Sequence, residues 1–273
     1  MADSRYSDLH RPPLSEAALN RALVRPGSLW TKLTVVDSAG STNADLAEAA
    51  RAGAAEGTVL VAEAQLAGRG RLGRAWSAPP RSGLTFSVLL RPSLPPATQG
   101  WLSLMYGVAA ASAVRRLAEV EVRLKWPNDL LIGERKLAGV LAERVDDAVV
   151  IGMGLNVSLR QEELPVETAT SLGIEKAACV DRDPLLRAVL REVESHYRDL
   201  TAVAGDAEAA GLRAAYLASS ATVGQRVRVE LPGGRSLTGL ATDVDAAGHL
   251  QVEEAGERHT LSAGDVVHVR AEK

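Results

Sequence analysis

The segment Gly68-Arg69-Gly70-Arg71-Leu72-Gly73-Arg74, continued by Ala75-Trp76-Ser77-Ala78-Pro79-Pro80, restricts the choice of folds more than any other stretch of the chain. The pattern G-x-G-x-x-G is present, which in a dinucleotide-binding unit opens a helix whose N-terminus meets the pyrophosphate. Two prolines and an apolar run at 84–90 come next, so no helix can start there and the Rossmann reading fails. No G-K-[ST] closes the segment, and H-R-D and D-F-G are absent, which removes the P-loop and the protein kinases. What remains is a flexible connection carrying three guanidinium groups. Arginine matches phosphate and carboxylate oxygens, and glycine frees N–H groups to wrap an anion. Such a loop is costly to order when empty. The expectation is a loop that is mobile without ligand and closes over a small anion, set against an inert surface loop.

The rest of the chain alternates hairpins and helices. Helical spacing over 14–24 starts at Ser15-Glu16 and stops at Pro26-Gly27, and Ser41 reads as the N-cap of a helix reaching Ala52. Strands are expected at 33–37, 58–64, 84–90, 122–126, 130–132, 137–144 and 148–155, with Gly133-Glu134 as a hairpin turn. Helices are expected at 101–118, 184–200 and about 206–218. Near Ser220 the pattern becomes five short strands, 226–231, 235–245, 249–254, 257–262 and 266–270. They are separated by Pro232-Gly233-Gly234, Ala246-Ala247-Gly248 and Ala255-Gly256. The reading is an α+β fold in three parts. An N-terminal extension with one helix covers 1–32, a domain on a mixed or antiparallel sheet covers 33–220, and a small SH3-like β-barrel covers 221–273.

Composition excludes several function classes. The 273 residues carry 31 Lys and Arg against 34 Asp and Glu, a net charge of −3, which disfavours nonspecific nucleic-acid binding. An RNA-binding module built on the Gly/Arg loop also lacks stacking platforms, since aromatic residues make up 3%. Cys179 is the only cysteine, so neither a disulfide nor a cysteine metal site can form within the chain. His10, His196, His249, His259 and His268 have no metal-ligand spacing, and no G-x-S-x-G motif marks a serine hydrolase. Met1–Pro13 has no apolar signal core, and the uncharged run 92–114 is broken by prolines. A cytoplasmic protein without a membrane span is expected.

Four further segments carry polar groups at strand ends. Lysine is scarce, yet Lys125 and Lys136 fall close together among only five in the chain. Lys125-Trp126-Pro127-Asn128-Asp129-Leu130 reads either as an Asn-Asp turn or as a cluster presented where Pro127 breaks the strand. Lys136 points inward or outward depending on the phase of the strand it begins. Gly152-Met153-Gly154-Leu155-Asn156-Val157 is a tightly packed strand or a seat for a planar ring. Ser41-Thr42-Asn43 is a helix cap or the site of a polar ligand head.

In this order and spacing, over about residues 33–160, these segments together with Gln65, Trp76 and Lys136-Leu137-Ala138-Gly139 resemble the biotin protein ligase family. The resemblance implies a class II synthetase-like catalytic domain of the biotin/lipoate ligase fold. It also implies the activity: biotin and ATP form biotinyl-5′-AMP, and the biotin passes to a lysine of the biotin carboxyl carrier protein of an acyl-CoA carboxylase. Biotin binding falls to Ser41, Thr42, Asn43, Gln65, Gly68, Arg69, Gly70, Arg71 and Lys136, with Lys136, Arg69 and Arg71 catalytic. Nucleotide binding falls to Arg71, Arg74, Trp76, Asn128, Gly154 and Asn156, and Asp129 helps to place Mg²⁺. Residues 1–32 are too few for the winged helix-turn-helix that some members carry, so no DNA binding is expected. A monomer or a ligand-induced homodimer is compatible with the family. The rival reading is a lipoate-protein ligase or octanoyl transferase, and the arginine loop joined to Lys125–Leu130 argues against it.

Overall fold

A computed structural model describes residues 11–231, 235–262 and 264–268. His10, the turn expected at Pro232-Gly233-Gly234 and the end of the strand expected at 266–270 lie outside the described residues. The larger sheet has seven strands: β1 (Lys32–Val36), β2 (Thr58–Ala62), β3 (Gly83–Leu90), β4 (Arg123–Lys125), β5 (Asp129–Ile132), β6 (Arg135–Val145) and β7 (Ala148–Asn156). Their spatial order is β1-β2-β3-β7-β6-β5-β4. Helix α1 (Glu16–Leu23) precedes the sheet; only β1 and β2 run parallel, which requires a crossover, and helix α2 (Thr42–Arg51) supplies it. The remaining neighbours are antiparallel, so the sheet is mixed as expected. The connection from β5 to β6 is the two-residue turn Gly133-Glu134, with Gly133 at φ +57, a value that favours glycine there.

β3 and β7 lie mid-sheet and are buried throughout, because both of their faces are covered. One face packs against the alanine-rich α3 (Trp101–Ala118) and α4 (Arg182–Ala202), in a core that includes Phe86, Met153 and Tyr106. On the other face, Leu46 and Ala50 of α2 pack on Leu89 and Val150. The helix expected at 206–218 is shorter, α5 (Leu212–Ser219), because Gly211 at φ +69 breaks the helical path ahead of it. None of the described helices is long and apolar enough to cross a membrane.

The smaller sheet is antiparallel, with strands β8 (Arg226–Glu230), β9 (Ser236–Val244), β10 (Leu250–Glu254), β11 (Glu257–Leu261) and β12 (Asp265–His268). Their order is β11-β10-β9-β8-β12. Two tryptophans of the larger unit fasten it. The indole N–H of Trp101 donates to Ala246 O at 2.9 Å and that of Trp126 to Gly248 O at 3.1 Å. Both rings are buried, so each N–H needs such a partner.

A buried ion pair closes the neck of the arginine loop. Arg182 and Glu63 are each 5% exposed and paired. Arg182 also donates to Gly83 O, on the far side of the loop, and to Pro12 O, while Glu63 accepts from Leu14 N. Removing one partner strands the other charge in the interior, at a cost of about 3–5 kcal/mol. Arg182→Ala is therefore expected to lose about that much in urea unfolding. Glu63→Gln/Arg182→Met is expected to lose less than the sum of its single variants; additive losses would show that the pair is not coupled.

Candidate functional site

The cleft between the α2 side of the larger sheet, the arginine loop and β12 encloses 530 Å³. That is within the usual range for a small-molecule site. Its polar end comes from the register of β1 and β2. Parallel pairing continues past both strands as a bridge between Ala39 and Gln65, which sets Gln65 beside the start of α2. The expected capping bond from Ser41 does not form. Gln65 Oε1 instead accepts from Thr42 N at 2.8 Å, so the first N–H of the helix is satisfied and the Ser41 hydroxyl is left to the cleft. Asn43 borders the cleft, but its amide is committed to the protein: Nδ2 donates to Leu141 O and Glu143, and Oδ1 accepts from Ser87.

Glycines make the floor. Gly154 faces Gly139 across β7 and β6, and the Trp76 ring lies on both. A Cβ on Gly154 would be 2.1 Å from the ring, so no other residue fits beneath it. Trp76 thus rests on the strand assigned to the nucleotide from sequence. Lys136 gains its direction from a bulge: β5 and β6 slip register between Leu130 and Leu131. An extra residue shifts the alternation of a strand by one, which turns Lys136 to the same face as Gly139. Its Nζ lies 2.7 Å from Asp129 Oδ1 and 5.8 Å from the centre of the Trp76 ring.

The arginine loop is a small hairpin, tied by Gly70 N to Arg74 O at 2.7 Å and Trp76 N to Gly68 O at 2.9 Å. Gly68 serves this neck and, unlike the other expected site residues, does not line the cleft. Arg71 donates to Asn128 Oδ1 at 3.3 Å, and Asn128 is itself fixed to β6 through Val140 O. Burial pulls Arg71 below its ordinary value, while the carboxylates of Asp265 and Asp129 act in the opposite sense. A guanidinium kept charged in partial burial is favourably placed for an incoming anion. Arg74 pairs with Asp265 on β12. Burial alone would raise the Asp265 carboxyl, but the Arg74 hydrogen bond and the charges of Arg74, Lys125 and Arg71 outweigh it and hold it low. Asn156 donates to Thr170 O at 2.9 Å and so tethers the segment after β7 at the edge of the cleft.

Sequence reasoning missed Ser87, Glu143 and Asp265. Ser87 sits in an apolar strand, Glu143 reads as an ordinary strand carboxylate, and Asp265 comes from the other sheet. No spacing rule links them to the rest.

Comparison with known proteins bears on what such a cleft serves. The chain is 45% identical to the biotin–[acetyl-CoA-carboxylase] ligase of Mycobacterium tuberculosis, over 96% of this chain and 98% of that protein. The chain belongs to the biotin protein ligase family. The model of the biotin/lipoate A/B protein ligase family matches residues 36–156, and that of the biotin protein ligase C-terminal domain matches 222–269. Among solved structures, the biotin protein ligase of Aquifex aeolicus in complex with biotin and ATP superposes with a TM-score of 0.74. It is 28% identical and covers 89% of this chain and 100% of its own. The Leishmania major enzyme in complex with biotinyl-5-AMP gives a TM-score of 0.58 at 26% identity, over 88% of this chain and 99% of its own. Family membership makes the chain a ligase.

The glycine floor gives a direct test. Gly154→Ala is expected to push the Trp76 ring off β7 and into water. The emission attributable to Trp76, taken as the difference from a Trp76→Phe control, should move to the red while the far-ultraviolet circular dichroism stays unchanged. An unshifted difference spectrum would show that the ring does not rest on Gly154.

Proposed function

We propose that this cleft joins biotin to ATP, giving biotinyl-5′-AMP and pyrophosphate, and then passes the biotin to a lysine of a carboxylase's carrier domain. The observation that carries this reading is the convergence of three surfaces in one 530 Å³ space. A hydrogen-bonding end is formed by Ser41, Thr42 and Gln65, an apolar floor by Gly139, Gly154 and Trp76, and a cationic end by Arg69, Arg71 and Lys136. The ureido head of biotin takes the first, the adenine of ATP packs on the second, and the biotin carboxylate with the nucleotide phosphates takes the third.

The chemistry calls for that charge. A biotin carboxylate oxygen attacks the α-phosphorus of ATP, a P–O bond forms, and pyrophosphate leaves. Two unit charges 4 Å apart repel by about 4 kcal/mol at the effective dielectric of a protein surface. Lys136, released from Asp129 by the arriving carboxylate, offsets this repulsion together with Arg69 and Arg71 and stabilises the negative charge on the α-phosphate oxygens in the transition state. The neutral amine of the acceptor lysine then attacks the acyl carbon and AMP departs with the bonding pair. The arginine loop and Trp76 keep water from the mixed anhydride in the interval.

Magnesium enters with the nucleotide in this proposal. Among the described residues no group of three His, Cys, Asp or Glu side chains could hold a metal ion. Mg²⁺ commonly takes one or two carboxylates and otherwise phosphates and water, so Asp129 suits it as a single protein ligand. When bound, the ion would neutralise phosphate charge.

Purified protein given biotin and Mg-ATP is expected to release pyrophosphate and accumulate biotinyl-5′-AMP, and lipoate in place of biotin is not. Lys136→Ala should retain the wild-type melting temperature and lose about 10²–10³-fold in pyrophosphate release. Near-normal release would remove Lys136 from the mechanism. If the loop closes over both ligands, biotin and ATP together should raise the melting temperature by more than the sum of their separate shifts.

A further inference from the structure

We infer that Arg11, from the N-terminal extension, is a positioning residue for the nucleotide: it pins the midpoint of a cleft wall, residues 160–167, in the conformation that receives ATP. This rests on the proposed reading, in which the glycine floor and the cationic end of the cleft take the adenine and the phosphates.

The wall leaves the sheet after β7 and returns beside β6. Its first foot is fixed: Ser158 N donates to Ser82 O at 2.7 Å, Leu159 is buried, and Ser171 Oγ donates to Leu159 O at 2.6 Å. Its second foot is fixed by Lys136, whose N–H donates to Thr168 O at 2.7 Å and whose carbonyl accepts from Thr170 N at 2.8 Å. Between the feet, residues 160–167 are exposed except for the partly buried Glu163 and Leu164. Pro165 and Val166 nevertheless line the cleft, next to Thr168 and Ala169. Among the described residues, the hydrogen bonds that reach 160–167 from outside come from Arg11 alone.

Arg11 holds Glu163 with both arms of its guanidinium, Nη1 to Oε1 at 3.1 Å and Nη2 to Oε2 at 2.5 Å, and Nη2 also donates to Ser158 O at 2.8 Å. A forked pair of this kind fixes orientation as well as distance. The two side chains are withdrawn from water, at 9% and 13% exposure. The Arg11 hydrogen bond keeps the Glu163 carboxyl below its ordinary value, against the opposing effect of burial. Glu163 Oε2 accepts in turn from Arg160 N at 2.8 Å, so one carboxylate both closes the turn Gln161–Glu163 and ties it to the N-terminal strap. The strap is anchored on either side of Ala-free ground: Pro12 O accepts from Arg182 and Leu14 N donates to Glu63, the buried pair at the neck of the arginine loop.

The pinned wall stands at the nucleotide end of the cleft. Lys136 pairs with the wall, whereas Leu141, further along β6, bonds to Asn43 beside the head end. At a rise of about 3.3 Å per residue the two ends are about 16 Å apart. Without the Arg11 fork the exposed stretch is free to take many paths, and only those that match the pinned one accept the nucleotide. Apparent affinity then falls in proportion to the fraction of competent molecules. Once ATP is bound the wall is in place, so the loss falls on KM and not on kcat. Arg11 touches none of the reacting atoms and acts through Glu163.

The test is a double-mutant cycle of Arg11→Met and Glu163→Ala, with KM for ATP and kcat taken from pyrophosphate release at saturating biotin. Arg11→Met is expected to raise KM for ATP about tenfold, as when the pinned path falls to about a tenth of the population. It should leave kcat and KM for biotin within about twofold. In the Glu163→Ala background the same change should cost less than about twofold. Arg11→Lys, which keeps the charge and loses the fork, should recover part of the loss. Hydrogen exchange of the unliganded Arg11→Met protein should quicken in peptides covering 160–167. A normal KM for ATP in Arg11→Met would overturn the inference, even with a lowered melting temperature, because Arg11 would then only support the fold. An equal loss in both backgrounds, or exchange at 160–167 as slow as in wild type, would overturn it as well. Failure of the proposed reading looks different: wild type itself would release no pyrophosphate from biotin and Mg-ATP. The wall's assignment to a nucleotide would fall with it, while exchange would still judge whether Arg11 is the pin.

Discussion

Like charges crowded into a half-buried cleft must be balanced before any ligand arrives, and the architecture around this site answers that requirement. Arg71, Arg74, Lys125 and Lys136 all face one space. Two carboxylates meet them from different places in the chain, Asp129 at the start of β5 and Asp265 at the start of β12. In the proposed reaction, anionic substrates take over part of the balancing that these carboxylates provide. An exchange of this kind costs less than assembling the cations anew, because their mutual repulsion has already been met by folding.

Much of this could be read from residue order. The strands of the larger sheet and helices α2, α3 and α4 follow from apolar period and caps. The exclusion of a Rossmann turn by Pro79 and Pro80 pointed to a loop between two strands, and Arg71 and Trp76 lie on such a loop. The direction of Lys136 was open because strand phase cannot be counted across a bulge, and the slip beside Leu131 is what settles it. Ser41 misled in a different way. Serine before a helix ordinarily caps it, but here Gln65 arrives through tertiary pairing and takes that duty, which leaves the hydroxyl free for the cleft.

What escaped sequence reading shares one physical cause. Glu143, Ser87 and Asp265 matter through side chains brought to them by sheet register or by packing of the second sheet. The family resemblance placed Asn43 among the biotin-binding residues, whereas its amide is bonded to Leu141, Glu143 and Ser87. Local pattern identifies which groups are polar; only the assembled network shows which of their valences remain for a guest.

The position of β12 has a consequence for biosynthesis. Gly264 to Val267 form part of the cleft wall, so the chamber is incomplete until β12 has been synthesised and docked. A nascent chain ending before the second sheet lacks Asp265, and its Arg74 is left without that counter-ion. Only a polypeptide that has docked β12 against the larger unit presents a finished chamber.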